Sequence, residues 1–365
     1  MPDGCVRDDD VAQVLVHAQL SLEHRAATEV PNPRVDAGKY PYTSALPAAA
    51  WPAAGWIAVS VGGLLLGVHL KIAALVHIGA ATPRLRTPRL RSACVLVIVL
   101  GAVGSHALLP VPQAYLKASN SGSGHEFGRG VSVSGDTMAV SAPSEASCSG
   151  VVVNGASGYA TDTGCPAAGA VYVYKRDGGM WAAEAYLKAP TAASSSEFGG
   201  GGVAVSVSGD TIAVGAKGES SCSTSIVNGA SGHATDTSCS AAGAVYIFVR
   251  TGSDWTAQAY IKAPNAKAGD EFGYSVSLDG DALTIGAQGE SSCSTSIVDG
   301  ASGYPTDTGC SHAGAVYIFV RSSGTWTAQA YVKAPNAGAD DRFGLTVSMS
   351  SNTIAVGAEC AQMRT

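Results

Sequence analysis

The sequence predicts an all-β chain: a β-propeller of four-stranded blades with a repeat of about 71 residues, incomplete as it stands and preceded by hydrophobic helical segments. Three observations predict it. A long string returns four times, as FGRGVSVSGDTMAVSAPSE from Phe127, FGGGGVAVSVSGDTIAVGAKGE from Phe198, FGYSVSLDGDALTIGAQGE from Phe272 and FGLTVSMSSNTIAVGAE from Phe343. The copies keep register, because Phe127, Phe198, Phe272 and Phe343 are 71, 74 and 71 residues apart, as are Tyr115, Tyr186, Tyr260 and Tyr331. Within each copy the apolar residues alternate with period two, and no helical periodicity interrupts them.

Each unit reads as four strands. Val131 and Val133, then Met138 and Val140, flank a Ser-Gly-Asp turn, which is a hairpin signal. The β-branched and aromatic run GAVYIFV at Gly243 and Gly314 gives a third strand, and WTAQAYIKAP, stopped by Pro264 or Pro335, gives a fourth. The three extra residues of the 74-residue step fall between Phe198 and Asp210, within the run Gly199 to Gly202. That run opens no helix, so it reads as slack or a bulge rather than a phosphate cradle. Repeated units of this kind bury their faces only by stacking on one another.

Within 113–359 the blades span 127–190, 198–264 and 272–335, with a partial unit at 343–359 and a tail at 360–365. The Phe-Gly openings and the GAKGE and GAQGE closings resemble FG-GAP repeats, the blades of the integrin α-subunit propeller. The short turns and the AYLKAP strand are more similar to the bacterial-type repeats. The resemblance implies an extracellular module that binds protein or glycan ligands at a propeller rim, and it does not imply catalysis. Phe127, Phe198, Phe272 and Phe343, with Trp181, Trp255 and Trp326, are expected in the repeat core, the tryptophans packing between blades rather than forming a sugar-stacking platform.

Three departures from that family pattern carry information. The Asp-rich calcium loop of integrin-type blades has shrunk here to Ser134-Gly135-Asp136 and Ser208-Gly209-Asp210, and only Asp279-Gly280-Asp281 carries two carboxylates. Calcium takes six to eight oxygens, so Asp279 and Asp281 are the calcium candidates against a plain hairpin turn, with Asp162, Asp236 and Asp307 in longer loops as a second set. Secondly, each full unit holds two cysteines 17 residues apart: Cys148 and Cys165, Cys222 and Cys239, Cys293 and Cys310. The stretch between them is rich in Gly, Ser, Thr and Asp. Three copies at one spacing favour disulfides over free thiols, and His233 and His312 lack counterparts that a repeated zinc site would need. Disulfides in turn imply an oxidising compartment. Thirdly, the pattern collapses after Ala358, so the array reads either as a fragment of a longer one or as a propeller closed by the strand at Tyr115 or by self-association.

Residues 1–50 read as irregular, and 51–112 as a hydrophobic anchor or signal region. Residues 92–111 hold no Lys, Arg, Asp or Glu and follow Arg84, Arg86, Arg89 and Arg91, which places the arginines in the cytoplasm and the propeller outside. The same stretch resembles a signal peptide with Ser105-His106-Ala107 as its cleavage site, although no methionine lies between Met1 and Met138. A membrane anchor through 92–111 is the reading preferred, secretion the alternative.

Charge divides unevenly. Residues 1–112 hold 9 basic and 7 acidic side chains, and the remainder 13 and 21, so the propeller carries net −8 and is a poor nucleic-acid binder. NGASG at Asn154 and Asn228 is not a nucleophile elbow, and Glu126, Glu197 and Glu271 before each Phe-Gly read as turn contacts or a weak cation site rather than an acid–base pair. The expectation is a non-enzymatic, membrane-tethered extracellular propeller for adhesion or ligand binding. The rival is the accessory propeller of a larger secreted hydrolase, or a truncated fragment without independent function.

Overall fold

Gly209 takes φ +55°, which lets Ser208-Gly209-Asp210 turn the chain back within two residues, and Gly135 and Gly280 do the same at φ +58° and +59°. These turns open every unit. The computed structural model describes residues 112–359 together with the strands at 15–16 and 97–100. In chain order the first strands are β1 (Leu15–Val16), β2 (Val97–Leu100) and β3 (Pro112–Leu116). The first full unit has β4 (Val131–Ser134), β5 (Thr137–Ala142), β6 (Val153–Asn154), β7 (Ala170–Asp177) and β8 (Met180–Leu187). The second has β9 (Val205–Ser208), β10 (Thr211–Ala216), β11 (Val227–Asn228), β12 (Ala244–Thr251) and β13 (Asp254–Ile261). The third has β14 (Phe272–Asp279), β15 (Ala282–Ala287), β16 (Val298–Asp299), β17 (Ala315–Ser322) and β18 (Thr325–Val332). A fourth unit begins with β19 (Thr346–Ser350) and β20 (Thr353–Gly357).

The three full units are five-stranded antiparallel sheets, in the orders β4-β5-β7-β8-β6, β9-β10-β12-β13-β11 and β14-β15-β17-β18-β16. Four strands per unit were expected. The fifth is a two-residue strand inside the cysteine loop, too short to show a period, which folds back onto the outermost long strand through Val153↔Tyr186, Val227↔Tyr260 and Val298↔Tyr331. Among the described residues there is no α-helix. The apolar helix expected at 92–111 lies outside the described residues except for β2, which is extended and pairs with β3. Apart from β1, the expectations for 1–50 also fall outside them, as do those for the rest of 51–111 and for the tail.

Neighbouring units share their cores. Val171, Val173 and Leu187 of the first unit form one buried cluster with Ile212, Val214, Tyr246, Phe248 and Trp255 of the second. Val245, Ile247 and Ile261 of the second do the same with Leu283, Ile285, Tyr317, Phe319 and Trp326 of the third. Each large side chain so buried contributes about 1.5–3 kcal/mol, and none of it is available to a unit alone. The inner strands are linked by side chains rather than by a backbone ladder: Val207 N donates to Ser132 Oγ at 3.0 Å, Leu278 N to Ser206 Oγ at 3.0 Å and Met349 N to Ser277 Oγ at 2.9 Å. The glycine run is not slack. Gly202 N donates to Tyr274 O at 3.0 Å, and Val203 bridges Ser275 in parallel, so the inserted residues bond the second unit to β14.

The Phe-Gly signature has a backbone reason. Phe198, Phe272 and Phe343 each run parallel to the glycine that starts the third strand of the preceding sheet, Gly169, Gly243 and Gly314. A Cβ on Gly243 would lie 2.1 Å from Phe272 O, and its φ is +81°, so only glycine fits. Phe198 and Phe272 are fully buried and Phe343 nearly so, while Phe127 is half-buried.

Candidate functional site

The cysteine loop leaves each sheet between its second and third long strands, and its base is a buried ion pair. Lys262, the lysine of AYIKAP, is fully buried and donates to Glu219 Oε2 at 2.6 Å and to Gly243 O at 2.6 Å. Lys188 with Glu145, and Lys333 with Glu290, repeat the pair at 2.6 and 2.7 Å. Desolvation lowers the lysine pKa at Lys188 and Lys262, opposed by the glutamate beside each. The other glutamate oxygen accepts from Ser221 N at 3.0 Å, which ties the pair to the first residues of the loop.

The loop itself is closed at its neck. Disulfides join Cys148 to Cys165, Cys222 to Cys239 and Cys293 to Cys310, each with Cα atoms about 5 Å apart. Just inside the neck Asp236 accepts from Ser221 Oγ at 2.6 Å and from Cys222 N at 2.8 Å, and these bonds hold its carboxyl below the usual carboxylate range. Asp162 and Asp307 do the same in their units. An aromatic ring fixes the far end: Tyr159 stacks on Tyr186, His233 on Tyr260 and Tyr304 on Tyr331, at centroid distances of 5.0, 5.2 and 5.3 Å. Between these anchors the Gly-Ala-Ser-Gly tips, 155–158, 229–232 and 300–303, are exposed.

At the base of the first two tips an asparagine clasps the next unit. Asn154 Oδ1 accepts from Trp255 N at 2.8 Å and its Nδ2 donates to Trp255 O, and Asn228 holds Trp326 in the same way at 2.7 Å. Trp255 and Trp326 are buried between units beneath Arg250 and Arg321, whose guanidinium carbons lie 5.2 Å from the ring centroids. Trp181 is only partly buried.

A family model of the FG-GAP repeat matches residues 255–319 and 326–363. Those residues carry FG-GAP repeats. No curated protein matches it. The matched FG-GAP segments run from β13 through the third unit into β19 and β20, and the first two units repeat the same strands and contacts.

The remaining sequence candidates are occupied by protein contacts. Asp281 pairs with Arg321 Nε at 2.6 Å, as Asp136 does with Arg176 and Asp210 with Arg250. Asp279 Oδ2 accepts from Ser351 N at 2.5 Å. Neither carboxylate of the Asp279–Asp281 turn is joined by a third ligand, and among the described residues no group of three or more His, Cys, Asp or Glu side chains stands where it could hold a metal. Glu197 pairs with Lys217 at 3.0 Å and Glu271 accepts from Gln288 Nε2 at 2.5 Å.

Sequence reasoning passed over the lysine, the arginine and the asparagine. Their signal was in plain view, since each recurs once per unit at constant offset, as Lys188, Lys262, Lys333 and Arg176, Arg250, Arg321 do. Three disulfides fit an oxidising compartment. Among the described residues no helix is long and apolar enough to cross a membrane.

Proposed function

We propose that the chain is a non-enzymatic β-propeller module, held outside the cell by its apolar segment at 92–111, which binds a protein or glycan ligand at its rim for adhesion or capture. The observation that carries this reading is the set of three disulfide-closed loops. Each is braced by a buried Lys–Glu pair and a stacked ring, and each presents the same exposed Gly-Ala-Ser-Gly tip from the same place on its sheet. Exposed loops held on rigid bases are how binding residues are carried on scaffolds. The shared cores between successive sheets, with inner strands linked through Ser132, Ser206 and Ser277, support a radial arrangement of blades.

The test is an array of cell-surface glycans and extracellular-matrix proteins probed with the full chain. A second full chain carries the tips 155–158, 229–232 and 300–303 replaced by serine-glycine of equal length. Binding that the tip replacements abolish supports the reading. Binding that survives them, or none on the array, overturns it. Labelling of intact cells with a membrane-impermeant amine reagent tests the tether: lysines of the repeats react if the blades face outward, and not otherwise.

A further inference from the structure

Two of the chain's seven asparagines, Asn154 and Asn228, are followed by glycine, and both stand at the same place, the exposed base of a loop tip. Asn-Gly is open to attack by its own backbone, because glycine has no Cβ to hinder its nitrogen. Written for Asn228, a bond forms between Gly229 N and Asn228 Cγ. The glycine proton passes to solvent, and the Cγ–Nδ2 bond breaks to release ammonia. The succinimide so formed takes up one water. Opening at one carbonyl gives aspartate, and at the other isoaspartate, whose backbone runs through the side-chain carbon. Water is the only co-reactant, and nothing is oxidised or reduced.

The structure occupies both reacting groups. Gly229 N donates to Gln258 O at 2.6 Å, and Gly155 N to Glu184 O at 2.7 Å. The Asn228 amide is held at both ends by the Trp326 backbone, at 2.7 Å through Oδ1 and 3.3 Å through Nδ2. Trp255 holds Asn154 in the same way at 2.8 and 3.3 Å. The attacking nitrogen is therefore bonded within its own unit, and the carbon under attack is fixed by the next. Reaction needs both released together, a local opening of loop and junction rather than of the whole chain.

Conversion is one-way in its effect. Aspartate at 228 keeps an acceptor for Trp326 N but sets an oxygen where Nδ2 donated to Trp326 O, so two acceptors face each other. Isoaspartate adds a backbone atom within β11 and breaks the register Val227↔Tyr260 and Asn228↔Ala259. The third unit encodes Asp299-Gly300 at this place and still pairs Asp299 with Ala330. A carboxylate there is compatible with the loop, and what it removes is the clasp.

We propose that Asn154-Gly155 and Asn228-Gly229 are sites of spontaneous deamidation, held off by the clasp on the next unit and, once converted, unable to remake it. The sites belong to the chain's own chemistry and do not rest on the tips binding a ligand.

The test is peptide mapping by mass spectrometry of the full chain during incubation at mildly alkaline pH, beside the same chain unfolded in urea. Conversion is read at 154 and 228, with Asn265-Ala266 as the slow internal standard. In urea both Asn-Gly sites should convert at one rate, well ahead of Asn265. In the folded chain both should be at least about tenfold slower. Cys222→Ser with Cys239→Ser frees the second loop alone, so Asn228 should accelerate severalfold while Asn154 does not. Asn228→Asp should lower Tm, and so should incubation that converts Asn228 in the parent. Folded rates equal to those in urea, or conversion that leaves Tm where it was, would overturn the proposal. So would an Asn228 indifferent to the loss of Cys222–Cys239 in a variant whose Asn154 stays slow. If that variant unfolds, Asn154 accelerates with Asn228, and the folded parent against the chain in urea decides alone.

Discussion

Lys262 Nζ lies 2.6 Å from Glu219 Oε2, and the lysine side chain is completely buried while the glutamate's is 7 % exposed. The pair joins the end of the fourth long strand to the start of the cysteine loop, 43 residues away. Both charges have lost water, so their attraction does little more than offset desolvation, and the pair is a device of placement more than of stability. Removing one partner is a different matter. Lys262→Met leaves Glu219 charged and buried, and should cost about 3–5 kcal/mol in a denaturant titration. Adding Glu219→Gln should recover a large part of that loss. A single substitution costing less than about 1 kcal/mol would show the glutamate reaches water.

Closing 17 residues by Cys222–Cys239 restricts the unfolded chain, worth about 3 kcal/mol for a loop of this length. Cys222→Ser should therefore lower Tm by about 6–12 °C under oxidising conditions, at 2–4 °C per kcal/mol for a domain of this size. Strong reductant should lower Tm of the parent protein and leave less to lose in the variant. A variant with unchanged Tm would mean that Ser221, Asp236 and the His233–Tyr260 stack hold the loop unaided.

The asparagine clasps should separate by position. Asn228 makes both of its bonds to the Trp326 backbone, so Asn228→Ala strands a donor and an acceptor between two units and should cost about 1–3 kcal/mol. Asp299 has the same place in the third unit with no tryptophan against it, and Asp299→Ala should stay within about 0.5 kcal/mol. Equal costs would show that the residue stabilises its own loop and not the junction.

The strands, their pairing into hairpins and the cysteine partners were legible because each leaves a local mark: period two, a Gly-Asp turn, a spacing of 17 between Cys222 and Cys239. The contacts that join units were harder to read. Asn154 meets Trp255 across 101 residues, and Arg321 reaches Thr211 across 110, and nothing in either neighbourhood says so. The partners of the aspartates were hidden for a related reason. Asp281 sits in a short turn and Asp307 in a longer polar loop, and their partners are Arg321, 40 residues on, and the backbone N–H of Cys293, 14 residues back. A carboxylate looks free in sequence until the strand beside it is known. Two-residue strands such as β16 are shorter than any period and left no signal at all.

Asp270 gives the repeats a pH response of definite sign. It is buried, its Oδ2 accepts from Lys267 N at 2.8 Å, and desolvation pushes its pKa up to about 7, with Glu290 reinforcing the shift and Lys267 and Lys262 opposing it. In the unfolded chain it titrates near the ordinary value of 3.8. Between those two values the folded state holds a proton that the unfolded state has lost, so stability from this group rises as pH falls through about 7 and is complete below the unfolded value. Asp270→Asn keeps an acceptor for Lys267 N and removes the charge. The substitution should therefore stabilise the protein more at pH 8 than at pH 5.5, which paired denaturant titrations of the two proteins would measure. An equal effect at both pH values would place the Asp270 carboxyl in contact with solvent.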